Sequence, residues 1–120
     1  MPKAIFLVHW NKAEAGVLAE GLRQSGWTVE VEAKDGARAY RRMREAPPRA
    51  VVVYLTRLPS HGVRTAQALL TTARTRAVPV LFVGGSGEAL AKAKAKVPGA
   101  IFVAADGVAS GLQRLISTPA

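Results

Sequence analysis

The sequence predicts an α/β fold: one parallel sheet of five strands with helices packed on both faces. Three observations carry this reading. Five short apolar runs, at 4–8, 29–31, 50–55, 78–83 and 100–105, recur along the 120 residues. Each is followed by a segment of helix length with apolar residues at helical spacing, and strands that alternate with helices form parallel sheets. Glycine, proline and short polar residues stand at almost every junction, where the chain must turn. Right-handed crossovers then restrict the topologies that remain.

The elements follow in order. The run 4–8 is the first strand, and Asn11 can cap a helix reaching Gln24, with Val17, Leu18 and Leu22 at core spacing and Ser25-Gly26 closing it. After the strand at 29–31, Asp35-Gly36 turns the chain into a helix over 37–46, which Pro47-Pro48 must stop. The strand at 50–55 leads to a helix over 61–74 that places Val63, Ala66, Leu69 and Leu70 on one face. Beyond the strand at 78–83, Ser86 or Gly87 opens a helix over 88–97, and Pro98-Gly99 ends it. Within that segment Ala91-Lys92-Ala93-Lys94-Ala95-Lys96 alternates with a strand period. Alanine and lysine are strong helix formers and poor strand residues, so a helix is expected. Its lysines are spread all round, leaving only Leu90 and Val97 to pack, and it should be the least well buried helix. The strand at 100–105 precedes a last helix, opened by Asp106 or Gly107, with Val108, Leu112, Leu115 and Ile116 inward. No linker, repeat or low-complexity tract interrupts the pattern, so residues 1–120 read as one domain.

Composition narrows the class. With 49% hydrophobic residues the chain can build a core, and no apolar run approaches the ~20 residues of a membrane span. The apolar stretch before His9 is too short for a secretory signal, so a cytoplasmic protein with no membrane partner is expected. The absence of cysteine excludes disulfides and thiolate metal sites. Lys and Arg number 17 against 8 Asp and Glu, a formal charge of +9. Such an excess favours polyanionic partners or simply keeps the surface soluble, and both readings stand at this stage.

In an open parallel sheet, ligands bind outside the carboxyl ends of the strands. Those ends are followed here by His9-Trp10-Asn11, Glu32-Ala33, Thr56-Arg57, Gly84-Gly85-Ser86 and Asp106. Magnesium or phosphoryl chemistry would need clustered oxygen ligands. Of these residues only Asp106 stands out as available.

The order of several short motifs resembles the receiver domain of bacterial response regulators over nearly the whole chain. They are Gly26-Trp27 before a strand, Asp35-Gly36-Ala37-Arg38-Ala39 opening a helix and Pro48-Arg49-Ala50-Val51-Val52-Val53 entering a strand. Leu58-Pro59 with Gly62, the stretch 79–83 and Gly99-Ala100 complete the match. The resemblance implies a doubly wound, flavodoxin-like sheet with strand order 2-1-3-4-5. The family's functional residues do not carry over. Its acidic pair falls on His9 and Trp10, and its phospho-accepting aspartate on Tyr54, or on Leu55 with a one-residue slip. Its hydroxyl residue falls on Gly84, its lysine on Asp106 and the following proline on Gly107. The chain therefore looks like a pseudo-receiver, with neither metal nor cofactor expected.

Four candidate sites follow. The vestigial pocket would be lined by His9, Trp10, Tyr54, Thr56, Gly84, Ser86 and Asp106. Trp10 and Tyr54 either fill it, with Asp106 bonded to Arg57, His9 or a backbone amide, or wall a small-ligand pocket. The loop Gly84-Gly85-Ser86-Gly87 either makes a tight turn into a helix capped by Ser86 or cradles an anion, although it lacks the P-loop pattern. Neither Ser60-His61 nor Ser86 with His9 and Asp106 forms a nucleophile-elbow motif, so no enzyme is expected. The arginines Arg38, Arg41, Arg42, Arg44 and Arg49 crowd a short segment with Tyr40 interleaved and only Glu45 opposing them, which suits phosphate or carboxylate recognition. By resemblance, a docking face would comprise Leu90, Lys92, Lys96 and Val103 through Leu112. The expected role is a phosphorylation-independent docking module for an acidic protein or a second copy of the chain. The alternative is nucleic-acid binding by the arginine-rich second helix.

Overall fold

Alternation of side chains along the strands sets the layers of this protein. The structure is a computed structural model describing residues 4–56 and 58–117, the last two by backbone alone. It contains β1 (Ala4–Val8), α1 (Lys12–Gln24), β2 (Thr28–Glu32), α2 (Gly36–Glu45), β3 (Ala50–Tyr54), α3 (Pro59–Leu69), β4 (Val80–Val83), α4 (Gly87–Lys96), β5 (Ile101–Val103) and α5 (Val108–Ser117). The strands form one parallel sheet in the order β2-β1-β3-β4-β5, as the resemblance implies.

Phe6, Val8, Val51, Val53, Val80 and Phe82 point to one face, where Met43 of α2, Val63 and Leu69 of α3 and Ala93 of α4 cover them. Ile5, Leu7, Val52, Tyr54, Leu81 and Val83 point to the other, against Ala15 and Ala19 of α1 and Val108 and Leu112 of α5. Every residue of β3 is buried, as expected of a central strand covered on both sides.

Several expectations shift. In α1 the inward positions are Ala15 and Ala19, with Leu18 and Leu22 flanking them, and Val17 is 74% exposed. Small alanines let that helix lie close to the sheet and turn Val17 outward. The third helix ends at Leu69 rather than at residue 74. There the Thr75 hydroxyl, fully buried, donates to the Leu69 carbonyl at 2.6 Å, and Thr71 donates to the Ala68 carbonyl at 2.7 Å. These bonds satisfy carbonyls that a longer helix would have used. Leu70, expected inward, is consequently exposed. The fourth strand begins at Val80, because Pro79 brings no N–H to the ladder. A single 3₁₀ turn, Ala105–Gly107, precedes α5. The Ile116 side chain lies outside the described residues. The alanine-lysine segment is helical, and Ala93 is the only residue buried within α4, in keeping with weak packing.

Candidate functional site

Strand parity decides what meets at the carboxyl end of the sheet. His9 continues the Ile5–Leu7 row and Tyr54 the Ala50–Val52 row, so both emerge on the α1/α5 side. Their rings stack at 4.8 Å between centroids, 21° from coplanar. His9 is 1% exposed and Tyr54 is 5% exposed. Burial pushes the Tyr54 phenol above its ordinary range, because the phenolate is disfavoured away from water. Asn11 caps α1 by accepting the Glu14 N–H at 3.0 Å, which fixes Glu14 in the first turn. From there its carboxylate meets His9 Nε2 at 3.3 Å. With Ala13, Val17 and Thr56, these three groups line an open cleft of about 700 Å³.

Trp10 does not close this cleft. One residue on in the alternation, it emerges on the opposite face and packs with the α2/α3 cluster. Its ring meets His61 edge-on at 5.9 Å, and Gly36 and Gly62 lie beside the indole, where a methyl on either would make only ordinary contact with it, at 3.6 and 3.7 Å. Among the described residues the indole Nε1 is buried there without a hydrogen-bond partner. Gly84 and Gly85 adopt φ of 75° and 80°, and a methyl on Gly84 would come within 2.8 Å of the Thr56 side chain. The glycine loop is thus required by backbone conformation and close approach. Ser86 stands at the N-cap of α4 but makes no side-chain capping bond, contrary to expectation. Asp106 is exposed on the 3₁₀ turn and, among the described residues, bonds neither His9 nor a backbone amide. The alternative partner, Arg57, lies outside the described residues.

Sequence reasoning placed Glu32 after a strand end but gave it no role. This carboxylate closes β2, is 3% exposed, and accepts from Arg38 Nε at 2.7 Å and Nη2 at 2.8 Å. It also accepts from the backbone amides of Lys34 at 3.0 Å and Asp35 at 3.1 Å. The Arg38 bond, helped by these amides and opposed by desolvation, lowers the Glu32 carboxyl from 4.5 to about 2. A glutamate at a strand end, just before an Asp-Gly helix start, was the available signal. Glu14 was equally readable, as the fourth residue of an Asn-x-x-Glu cap. Among the described residues, no three His, Asp or Glu side chains come together as metal ligands would.

The arginine segment is less cationic than it reads. Arg38 is spent on Glu32, and Arg42 pairs with Glu30 of β2 at 2.7 Å, so the neighbouring strand opposes the patch where only Glu45 was expected to. Arg44 lies over the Tyr40 ring at 5.4 Å, while Arg41 and Arg49 are exposed. The expected docking face also divides. Leu112 is fully buried and Leu90 and Val103 are half-buried. Lys92 and Lys96 turn toward α3, and Lys94 instead lies over Phe102 of β5 at 5.7 Å.

No family model and no curated protein matches the chain, whereas solved structures do. A CheY-type chemotaxis protein of Vibrio cholerae superposes with a TM-score of 0.81 at 14% identity, over 96% of this chain and 99% of its own. The receiver domain of a sensor histidine kinase from Pseudomonas aeruginosa, with a magnesium ion coordinated in its active-site cleft, gives 0.78 at 23% identity over 98% and 100%. The non-phosphorylated HemR receiver domain from Leptospira biflexa gives 0.77 at 23% identity over 100% and 98%. At these identities the likeness carries architecture alone: the chain has the flavodoxin-like fold of CheY-like receiver domains.

Proposed function

We propose that the chain is a receiver-like protein-interaction module that works without phosphorylation and without enzymatic activity. The observation that supports it best is the stacked His9–Tyr54 pair at the carboxyl end of the central strands. The Pseudomonas domain coordinates magnesium in its cleft. A magnesium ion demands near-octahedral oxygen ligands to offset its dehydration. Here Glu14 meets a histidine, Glu32 is saturated by four N–H donors, and Asp106 is exposed on a separate turn. These residues do not fit the ion. A tyrosine in place of a carboxylate cannot form an acyl phosphate. The partner is an acidic protein, drawn by the +9 charge, and the setting is the cytoplasm. Among the described residues no helix is long and apolar enough to cross a membrane.

Incubation with acetyl phosphate and magnesium, followed by intact mass, tests this reading. The expected result is an unchanged mass. A stoichiometric gain of one phosphoryl group, removable by hydroxylamine, overturns it.

A second reading, nucleic-acid binding, rests on the exposed Arg41 and Arg49. With Arg38 and Arg42 compensated, anisotropy titrations against random DNA and RNA should show weak binding at low salt and little at physiological salt. Sub-micromolar affinity that survives physiological salt would promote this reading over the docking module.

A further inference from the structure

We propose, resting on the docking-module reading, that the partner's acidic segment binds in the groove between α3 and α4. The groove has a volume of about 350 Å³ and is lined by Val63, Arg64 and Gln67 from α3 and Ala89, Lys92 and Lys96 from α4. Val63 is buried and Ala89 half-buried, which gives the groove an apolar lining. Three cations and one carboxylate, Glu88, stand at its edges. Glu88 is held by Lys92 at 2.9 Å, one helical turn away. Among the described residues that leaves Arg64 and Lys96, on opposite helices, without an anionic partner. Two uncompensated cations across an apolar concavity select a carboxylate flanked by an apolar side chain.

The entrance to α3 lies at the edge of the groove. Leu58 adopts a left-handed φ of 42°, which is uncommon for leucine, and the residue is 55% exposed immediately before the groove-lining Pro59.

On the two other faces singled out by the sequence these properties do not coincide among the described residues. On α2, Glu30 and Glu32 compensate two of the arginines. On the α4–β5–α5 side, Leu112 is buried and Lys94 is drawn over Phe102. A groove this small predicts a weak, exchangeable complex.

The test is an amide chemical-shift titration of the ¹⁵N-labelled full chain with three probes: a blocked peptide of alternating Glu and Leu, its Lys/Leu counterpart, and inorganic phosphate. The acidic peptide should give saturable shifts centred on Val63, Arg64, Gln67, Ala89 and Lys96, with no such response to the basic peptide. The double substitution R64E/K96E, at two exposed positions, should weaken binding at least tenfold and leave the remaining spectrum in place, and R64K/K96R should retain it. Saturable shifts at Lys94, Phe102 and α5, or at the α2 arginines, overturn the groove while leaving the docking module standing. An equal response to phosphate overturns the peptide assignment, and no saturable response to the acidic peptide overturns the groove outright. Failure of the phosphorylation-independent reading shows separately, as a mass gain with acetyl phosphate.

Discussion

Neutralising Glu32 should cost the fold a definite and pH-dependent amount. Its carboxyl is lowered from 4.5 to about 2 by Arg38 and two backbone amides. A lowering of that size corresponds to about 3 kcal/mol at neutral pH. Arg38 is half exposed, so water screens part of the pairing, and about 2 kcal/mol is the working figure. The sign follows from the direction. A carboxyl that ionises more readily folded than unfolded contributes fully above about 4.5, and the contribution fades as pH falls from there toward 2. Arg38 stays charged throughout, so the carboxylate alone titrates. Glu32→Gln preserves shape while removing the charge. At pH 7 it should lower stability by about 2 kcal/mol, or roughly 8 °C in Tm for a domain of this size. Urea unfolding of wild type and variant at half-unit steps from pH 7 to 3 measures the gap. It should hold steady down to about pH 5 and narrow below. Other carboxylates titrate in both proteins and cancel in the difference. A gap that stays constant to pH 3, or no gap at pH 7, refutes the assignment of stability to this pair.

Four further outcomes follow from local geometry. Gly62→Ala would place its methyl 2.7 Å from Val53 Cγ1 inside the packed core, and Gly84→Ala combines a φ of 75° with a 2.8 Å approach to Thr56. Each should cost about 1–3 kcal/mol by thermal unfolding. Gly16→Ala on α1 meets nothing within 4 Å and should stabilise by about 0.5–1 kcal/mol. The two tyrosines should ionise apart in a spectrophotometric titration. Tyr40, hydrogen-bonded to Thr72, should titrate below the ordinary value of 10 and buried Tyr54 above it, and Tyr54→Phe should delete the later phase. Val17→Thr should change stability by less than about 0.5 kcal/mol, since an outward side chain contributes little to the core.

Val17 marks where periodicity alone stops being informative. The spacing of Val17, Leu18 and Leu22 defines a helix, but several rotations of that helix satisfy it. Alanine carries almost no weight in a hydrophobic pattern, yet Ala15 and Ala19 take the buried positions because a small side chain allows the closest approach to the sheet. The strands were more legible. Their apolar runs, the order of elements and the turn residues are local signals, and the sheet order follows from the family likeness they compose. The ends of α3 and β4 were not legible, because threonine side chains bonding back to the chain decide the first and a missing proline N–H the second.

The candidate site was half written in the strand parity. His9 and Tyr54 share a side because each lies an even number of residues from inward neighbours on the α1/α5 face, and Trp10, one step on, is sent to the other. Grouping the three as one pocket treated the loop after β1 as a point, when its successive side chains still alternate across the sheet. Charge was the harder quantity. Arg38 and Arg42 read as members of a cationic run because Glu32 and Glu30 lie on β2, in another element of the sequence count. Parallel pairing sets β2 at the sheet edge with α2 packed beside it, and the two carboxylates thereby fall under the arginines. What survives this cancellation is a smaller set of cations, and those on the facing sides of α3 and α4 are the ones with an apolar surface between them. Tertiary compensation, more than the count of basic residues, therefore decides how much uncompensated positive charge this surface presents and where.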